Sequence, residues 1–351
     1  MVGTYYNERN NKNIEKIREL REKLPFLCTE FLLGIEPKTT ALTRLNYCYN
    51  LKTFFDFLSK KKFGISAEEI VLADLNNLTT TDLEIYLDYL SRYKDADEKI
   101  ITCTERGKAR HLSCVKSLFK YFYKKNKLNA NIAANIDLPK LHEKPIIRLE
   151  VDEVVKILDE TESGANLSAR QKMYHQNTAL RDTAIMTLLL GTGIRVSECV
   201  GLNIEDLDFR TNGFRVIRKG GGAAILYFSD EVADALKRYL SARLKILESE
   251  PSERALFLSL QKKRISPRAV QMLVKKYALP VTPLKKITPH KLRSTYGTSL
   301  YRETKDIYIV ADVLGHRDVN TTKKHYAAIS DDLRREAANK VKLREPDTDK
   351  H

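Results

Sequence analysis

The chain has 351 residues and a formal charge of +15, from 61 Lys+Arg against 46 Asp+Glu. That length holds about two or three domains, and 42% hydrophobic with 30% charged residues is a folding composition. The longest apolar run, Ala184 to Leu190, is broken by Thr187 and too short to span a bilayer, and Met1 to Asn10 is too polar for a signal peptide; the positive surplus points to an acidic partner, nucleic acid first.

From the N-terminus, the first twenty or so residues are polar and Asn/Lys-rich, an arm or a short helix. Residues 38–60 place Leu42, Leu45, Leu51, Phe54, Phe55 and Leu58 at helical spacing before Lys60, Lys61, Lys62 and Gly64. Leu83, Leu87 and Leu90 predict a helix over 80–92, with Thr79 and Asp82 as a capping box. Over 105–126, Leu112, Val115, Phe119 and Phe122 form one helix face, and Lys116, Lys120 and Lys124 another. Arg106 to Lys127 holds eight basic residues and no acidic one. Exposed helices commonly mix signs, so this stripe is either a solvated face or a track for phosphates; Lys116, Lys120 and Lys124 are the candidate DNA contacts.

Residues 139–149, with Pro139 and Pro145, read as a linker. Val151 to Leu158 begins a new amphipathic helix, 161–178 reads as a long loop or insertion, and Leu180 to Leu190 as a buried helix. Phe214–Lys219 and Ala223–Phe228 flank three glycines, a hairpin signal, with Leu207–Phe209 as a third strand. Helices return from Asp230 to Leu247 and after Pro267. The fold class is therefore mainly α with a small antiparallel sheet.

Charge is spread over both halves: residues 1–148 carry 26 Lys+Arg and 19 Asp+Glu, and the remainder 35 and 27. Two basic domains clamping a polyanion fit this better than a basic tail. The five cysteines (Cys28, Cys48, Cys103, Cys114 and Cys199) are scattered and form no CxxC pair. They read as buried, reduced thiols of a cytoplasmic protein.

Four C-terminal segments carry candidate chemistry. In Gly191-Thr-Gly-Ile-Arg195-Val-Ser-Glu198 two glycines turn the chain and set Arg195 at a helix start, where backbone N–H groups and a guanidinium favour an anion. In Thr288-Pro-His290-Lys-Leu-Arg293, Thr288 caps a helix that shows His290 and Arg293 on one face. In Leu314-Gly315-His316, Gly315 ends a helix. In Asn320 to Tyr326, Asn320 caps a short helix presenting Tyr326. Taken singly, each has an ordinary reading: a turn with a surface arginine, a surface HxxR, a capping histidine, one of seventeen tyrosines. There is no HExxH, EF-hand loop or Cys/His zinc pattern, so no metal or other cofactor is expected.

In this order and spacing, the segments resemble the tyrosine recombinase (phage integrase) family, from about Val151 to Ile329. The helical part before them resembles the family's core-binding domain, its Lys116–Tyr123 stretch included. The resemblance implies an N-terminal arm (1–24), a helical, SAM-like core-binding domain (25–138), a linker (139–149), a catalytic domain (150–330) and a tail (331–351). It makes Arg195, Lys219, His290, Arg293, His316 and the nucleophile Tyr326 the catalytic set. Two departures stand out: Ser294 follows Arg293 where the family often has histidine, and the hairpin Arg218-Lys219-Gly-Gly-Gly-Ala-Ala-Ile lacks further basic residues.

The implied activity is site-specific cutting and rejoining of DNA through a 3′-phosphotyrosyl intermediate, for integration and excision or for Xer-like resolution. The implied partners are a double-stranded recombination site and a homo-tetramer, or a related recombinase, on DNA. The tail, with Leu333, Ala337 and Val341 in helical register, is expected to dock on a neighbouring protomer or on its own domain. About 25 residues precede the core-binding-like part, an expectation of no arm-binding domain and an Xer-like two-domain layout. The alternatives are DNA relaxation by a type IB topoisomerase and a non-cutting DNA-binding protein on the same fold.

Overall fold

A computed structural model describes residues 4–95, 98–140, 147–218, 221–249, 253–316 and 319. The chain divides into two compact units, residues 1–144 and 145–351. Among the described residues no helix is long and apolar enough to cross a membrane.

The first unit contains helices α1 (Thr4–Arg21), α2 (Phe26–Gly34), α3 (Ala41–Leu58), α4 (Leu72–Asn76), α5 (Thr80–Tyr89) and α6 (Glu105–Lys124). A two-residue antiparallel ribbon, β1 (Tyr93–Lys94) with β2 (Ile100–Ile101), lies between α5 and α6. Of the two readings of the first residues, the structure has the helix: α1 packs on α3, and its Ile17 and Leu20 are buried. Leu112, Val115, Phe119 and Phe122 of α6 are fully buried with Phe54 and Phe55 of α3. The capping box of α5 forms as read: the Thr79 N–H donates to Asp82 Oδ2 at 2.8 Å.

The second unit is built around α8 (Ala169–Thr192), flanked by α7 (Val151–Ser163), α10 (Asp230–Ser249) and α12 (Pro289–Thr304). The short α9 (Val196–Gly201) follows α8; α11 (Pro267–Val281) and α13 (Ile307–Leu314) complete the helices. Strands β3 (Leu207–Asp208), β4 (Gly213–Ile217) and β5 (Ala223–Tyr227) form one antiparallel sheet in that order. Phe214 pairs with Leu226 and Ile217 with Ala223. Phe214 and Val216 face the core while Arg215 is exposed, the alternation a half-buried strand requires.

The long loop read over 161–178 is corrected. Only residues 164–168 are non-helical. Gly164 ends α7 in the left-handed region, and Ser168 starts α8 by accepting the Gln171 N–H while Gln171 caps in return. That Ser-x-x-Gln box was the missed signal. Residues 169–178 look polar, yet His175 and Thr178 are buried, bonded to Tyr277 and Asp182.

Candidate active site

The site forms at the C-terminal end of α13. A helix ends with its last carbonyls unpaired. Here each of the final carbonyls has a named donor. Gly315, left-handed at φ 60°, turns the chain, so that the Gly315 N–H donates to Asp312 O at 2.8 Å and the His316 N–H to Ala311 O at 2.9 Å. The next three carbonyls each take a guanidinium. Arg218 Nη2 donates to Val313 O at 2.9 Å, Arg293 Nη2 to Leu314 O, and Arg195 Nη2 to Gly315 O at 3.0 Å. The negative end of the helix dipole is a natural seat for cations. Three arginines, from the residue after β4, from α12 and from the start of α9, thus end on three consecutive carbonyls, beside His316.

Local structure explains how each arrives. Gly193 ends α8 at φ 61°, and a Cβ there would overlap the Tyr296 ring. The chain then reverses and Arg195 becomes the N-cap of α9. Gly191 does not turn the chain, as the sequence suggested; it is a helical residue of α8 packed on Val232. At the start of α9 the buried Glu198 accepts the Arg195 N–H and Nη1, both at 2.9 Å. This carboxylate holds Nη1 of the guanidinium while Gly315 O holds Nη2.

Thr288 and Pro289 open α12 as read, although the Thr288 side chain makes no capping bond. Arg293, one turn in, is buried at 5% exposure and its Nη1 donates to Gly193 O at 2.6 Å. It therefore ties the turn before Arg195 to the end of α13. His290, three residues earlier, is exposed. It borders a cavity of about 740 Å³ whose walls include Arg268, Gln271 and Lys275 of α11, with Lys285 and Lys286. Basic and apolar side chains line it, with no carboxylate among them.

The structure thus brings Arg195, Arg293 and His316 together and leaves His290 beside the basic cavity. Lys219, Tyr326 and the tail 331–351 lie outside the described residues, as does the helix expected to start at Asn320. Lys116, Lys120 and Lys124 follow one another along α6 of the first unit, the first half-buried and the others exposed.

Sequence comparison identifies the relatives of this chain. The profile of the phage integrase family matches residues 148–332. The tyrosine recombinase XerC of Caldanaerobacter subterraneus subsp. tengcongensis is 32% identical over 309 residues, covering 85% of this chain and 80% of the relative. The chain belongs to the phage integrase family. It is a site-specific tyrosine recombinase. Tyrosine recombinase XerS of Streptococcus thermophilus is 30% identical over 346 residues, 91% of this chain and 96% of the relative. A lambda integrase tetramer bound to a Holliday junction shares the fold, with a TM-score of 0.60 at 17% identity over 85% of this chain and 76% of that one.

Two residues of this candidate site were not singled out from sequence. Glu198 sits at the N3 position of the Arg-x-x-Glu turn, a capping-box spacing that was available as a signal. Arg218 continues the inward alternation of Phe214 and Val216. Burial pulls its guanidinium below the usual arginine value, with Glu198 opposing, Arg195 adding and Asp312 opposing.

Proposed function

We propose that Tyr326 is the nucleophile of this recombinase and that Arg195, Arg293 and His316 hold the scissile phosphate. The observation that carries this reading is the meeting of the Arg195 and Arg293 guanidiniums on consecutive carbonyls, Gly315 and Leu314, with His316 next in the chain.

The chemistry follows from these groups. The Tyr326 oxygen attacks phosphorus in line, the bond to the 5′ oxygen breaks, and a 3′-phosphotyrosyl link forms. A phenol is mostly protonated at neutral pH; His290 takes that proton. Lys219 gives one to the departing 5′ oxygen. Arg195 and Arg293 stabilise the charge gathered on the non-bridging oxygens, each contributing on the order of 3 kcal/mol. His316 adds a hydrogen bond to the same phosphate. The link keeps the phosphoester energy, so a second strand's 5′-hydroxyl reverses the step without ATP. Fixed cations do this work without a metal or other cofactor.

The substrate is a double-stranded recombination site, bound by a homo-tetramer or with a related recombinase. The basic surplus on both units, the cationic walls beside His290 and the lysine row of α6 support DNA as the partner. Between integration of an element and Xer-like resolution, the match over 96% of the XerS relative favours the second. The cytoplasm is the compartment this activity requires.

A nicked suicide DNA library offered to the protein and to Tyr326→Phe tests the core of this reading. The parent should form a covalent protein–DNA adduct and the variant none. An adduct surviving in the variant overturns the nucleophile, and sequencing the trapped DNA identifies the site.

A further inference from the structure

Three arginines end on α13, and the reading above uses two. Arg218 is the third. Its Nη2 is spent on Val313 O, and its guanidinium lies so close to Gly315 that a Cβ there would come within 2.6 Å of Cζ. Its Nη1 is buried with no hydrogen-bond partner among the described residues. Buried N–H groups of native proteins are nearly always paired, and one that is not needs a reason, a bound group or a catalytic role among them. The charges point the same way. Of the two carboxylates that act on Arg218, Glu198 and Asp312, the buried Glu198 is taken by Arg195 through both oxygens, which leaves three guanidiniums facing two carboxylates. The carbonyl dipoles seat the three guanidiniums without neutralising them.

We propose that Arg218 is a third phosphate-binding guanidinium of this recombinase, donating from Nη1 to a non-bridging oxygen of the scissile phosphate. This rests on the function proposed above and adds a residue to its transition-state clamp. The competing role is a strut that merely pins the hairpin to α13. The two differ in one respect: only a phosphate contact depends on the charge of the phosphate.

The test uses a suicide duplex carrying a site recovered from the library, made with either a normal scissile phosphodiester or a neutral methylphosphonate. Single-turnover adduct formation is measured for the parent, Arg218→Met and Arg218→Lys. On the phosphodiester, Arg218→Met should be slower by about 10²–10³-fold, the usual loss of one such donor. On the methylphosphonate that deficit should shrink below about tenfold, because there is less charge left to stabilise. Arg218→Lys should recover part of the rate on the phosphodiester, since it restores a point charge without the fork. Equal deficits on both duplexes, or none, overturn the proposal. Thermal melting and duplex binding report folding. If Arg218→Met unfolds, Arg218→Lys carries the comparison, and unfolding of both assigns Arg218 to the scaffold and overturns the proposal. A parent that traps no DNA from the library overturns the recombination chemistry itself, a result distinct from a parent that reacts and an Arg218 that does not matter.

Discussion

The two long helices α6 and α8 bury different things. The inner face of α6 is mostly apolar: Leu112, Val115, Leu118, Phe119 and Phe122 fill the first unit with the aromatic rings of α3 and α5, and Cys114 and His111 are buried among them. In α8, His175, Thr178, Asp182, Thr183 and Thr187 are buried together with Ile185, Leu188 and Leu189. The second unit also encloses Glu160, Glu198, Arg243 and Arg293. Apolar packing asks for volume and tolerates exchange of similar shapes. A buried charge asks for a particular partner, and fails when that partner is removed. The second unit accepts that cost, and the result is a set of guanidiniums held at fixed positions.

The sharpest way to break this comparison is Asp182→Ala. Asp182 is 1% exposed and accepts from Thr178 at 3.0 Å, Arg181 at 2.6 Å, Lys276 at 3.0 Å and Tyr277 at 2.8 Å. It therefore joins α8 to α11. Its removal leaves two cations facing each other, and should cost about 3–5 kcal/mol. Denaturant unfolding of the second unit would read this loss; a change below about 1 kcal/mol would mean the network is not a strut.

Glu198→Gln sharpens the same contrast inside the site. The amide keeps the shape but loses the charge that holds Arg195 from two atoms. Adduct formation should slow by about a hundredfold, equivalent to about 2.7 kcal/mol, with duplex binding near the parent's. Unchanged kinetics would show that the Gly315 carbonyl alone orients Arg195.

How much of this was legible follows from the same division. The apolar face of α6, the Thr79–Asp82 cap, the hairpin and the Gly315 turn all repeat at short spacing, and all were read correctly from the chain. The fold class and the family were legible for that reason. The site's frame was not. Val313, Leu314 and Gly315 attract arginines 95, 21 and 120 residues away, and no local pattern announces a carbonyl as a partner. The start of α8 failed for a related reason: its polar residues look like loop, and become core only against Tyr277, about a hundred positions on.

The buried histidine of α6 gives a smaller, pH-dependent effect. His111 is buried with its Nδ1 3.1 Å from the Tyr86 hydroxyl, and burial lowers its pKa from 6.5 to about 4. Between those values the unfolded chain binds a proton that the folded one refuses, so stability rises with pH there. As pH falls from 7 through 6.5 toward 4, the first unit should lose on the order of 2 kcal/mol, a value reduced for partial solvent screening. In His111→Gln, which keeps a partner for Tyr86, that part of the acid loss should vanish. A loss of the same size in the variant would assign it elsewhere.

The smallest expected effect concerns the outer face of α6, where the comparison is between cations that have partners and cations that do not. Lys108 pairs with Glu105 at 3.3 Å, and Lys125 and Lys127 reach Glu30 at 3.5 and 2.8 Å. Lys116, Lys120 and Lys124 make no ion pair among the described residues. A lysine already neutralised adds little field, whereas an unpaired one can displace a counterion from a phosphate. Lys116→Glu with Lys120→Glu should therefore weaken duplex binding by about tenfold and flatten its log-salt slope by about two. Lys127→Gln, one surface cation fewer, should leave both nearly unchanged. If the two variants weaken binding alike, net charge is what the duplex senses, and the row on α6 has no special part in holding it.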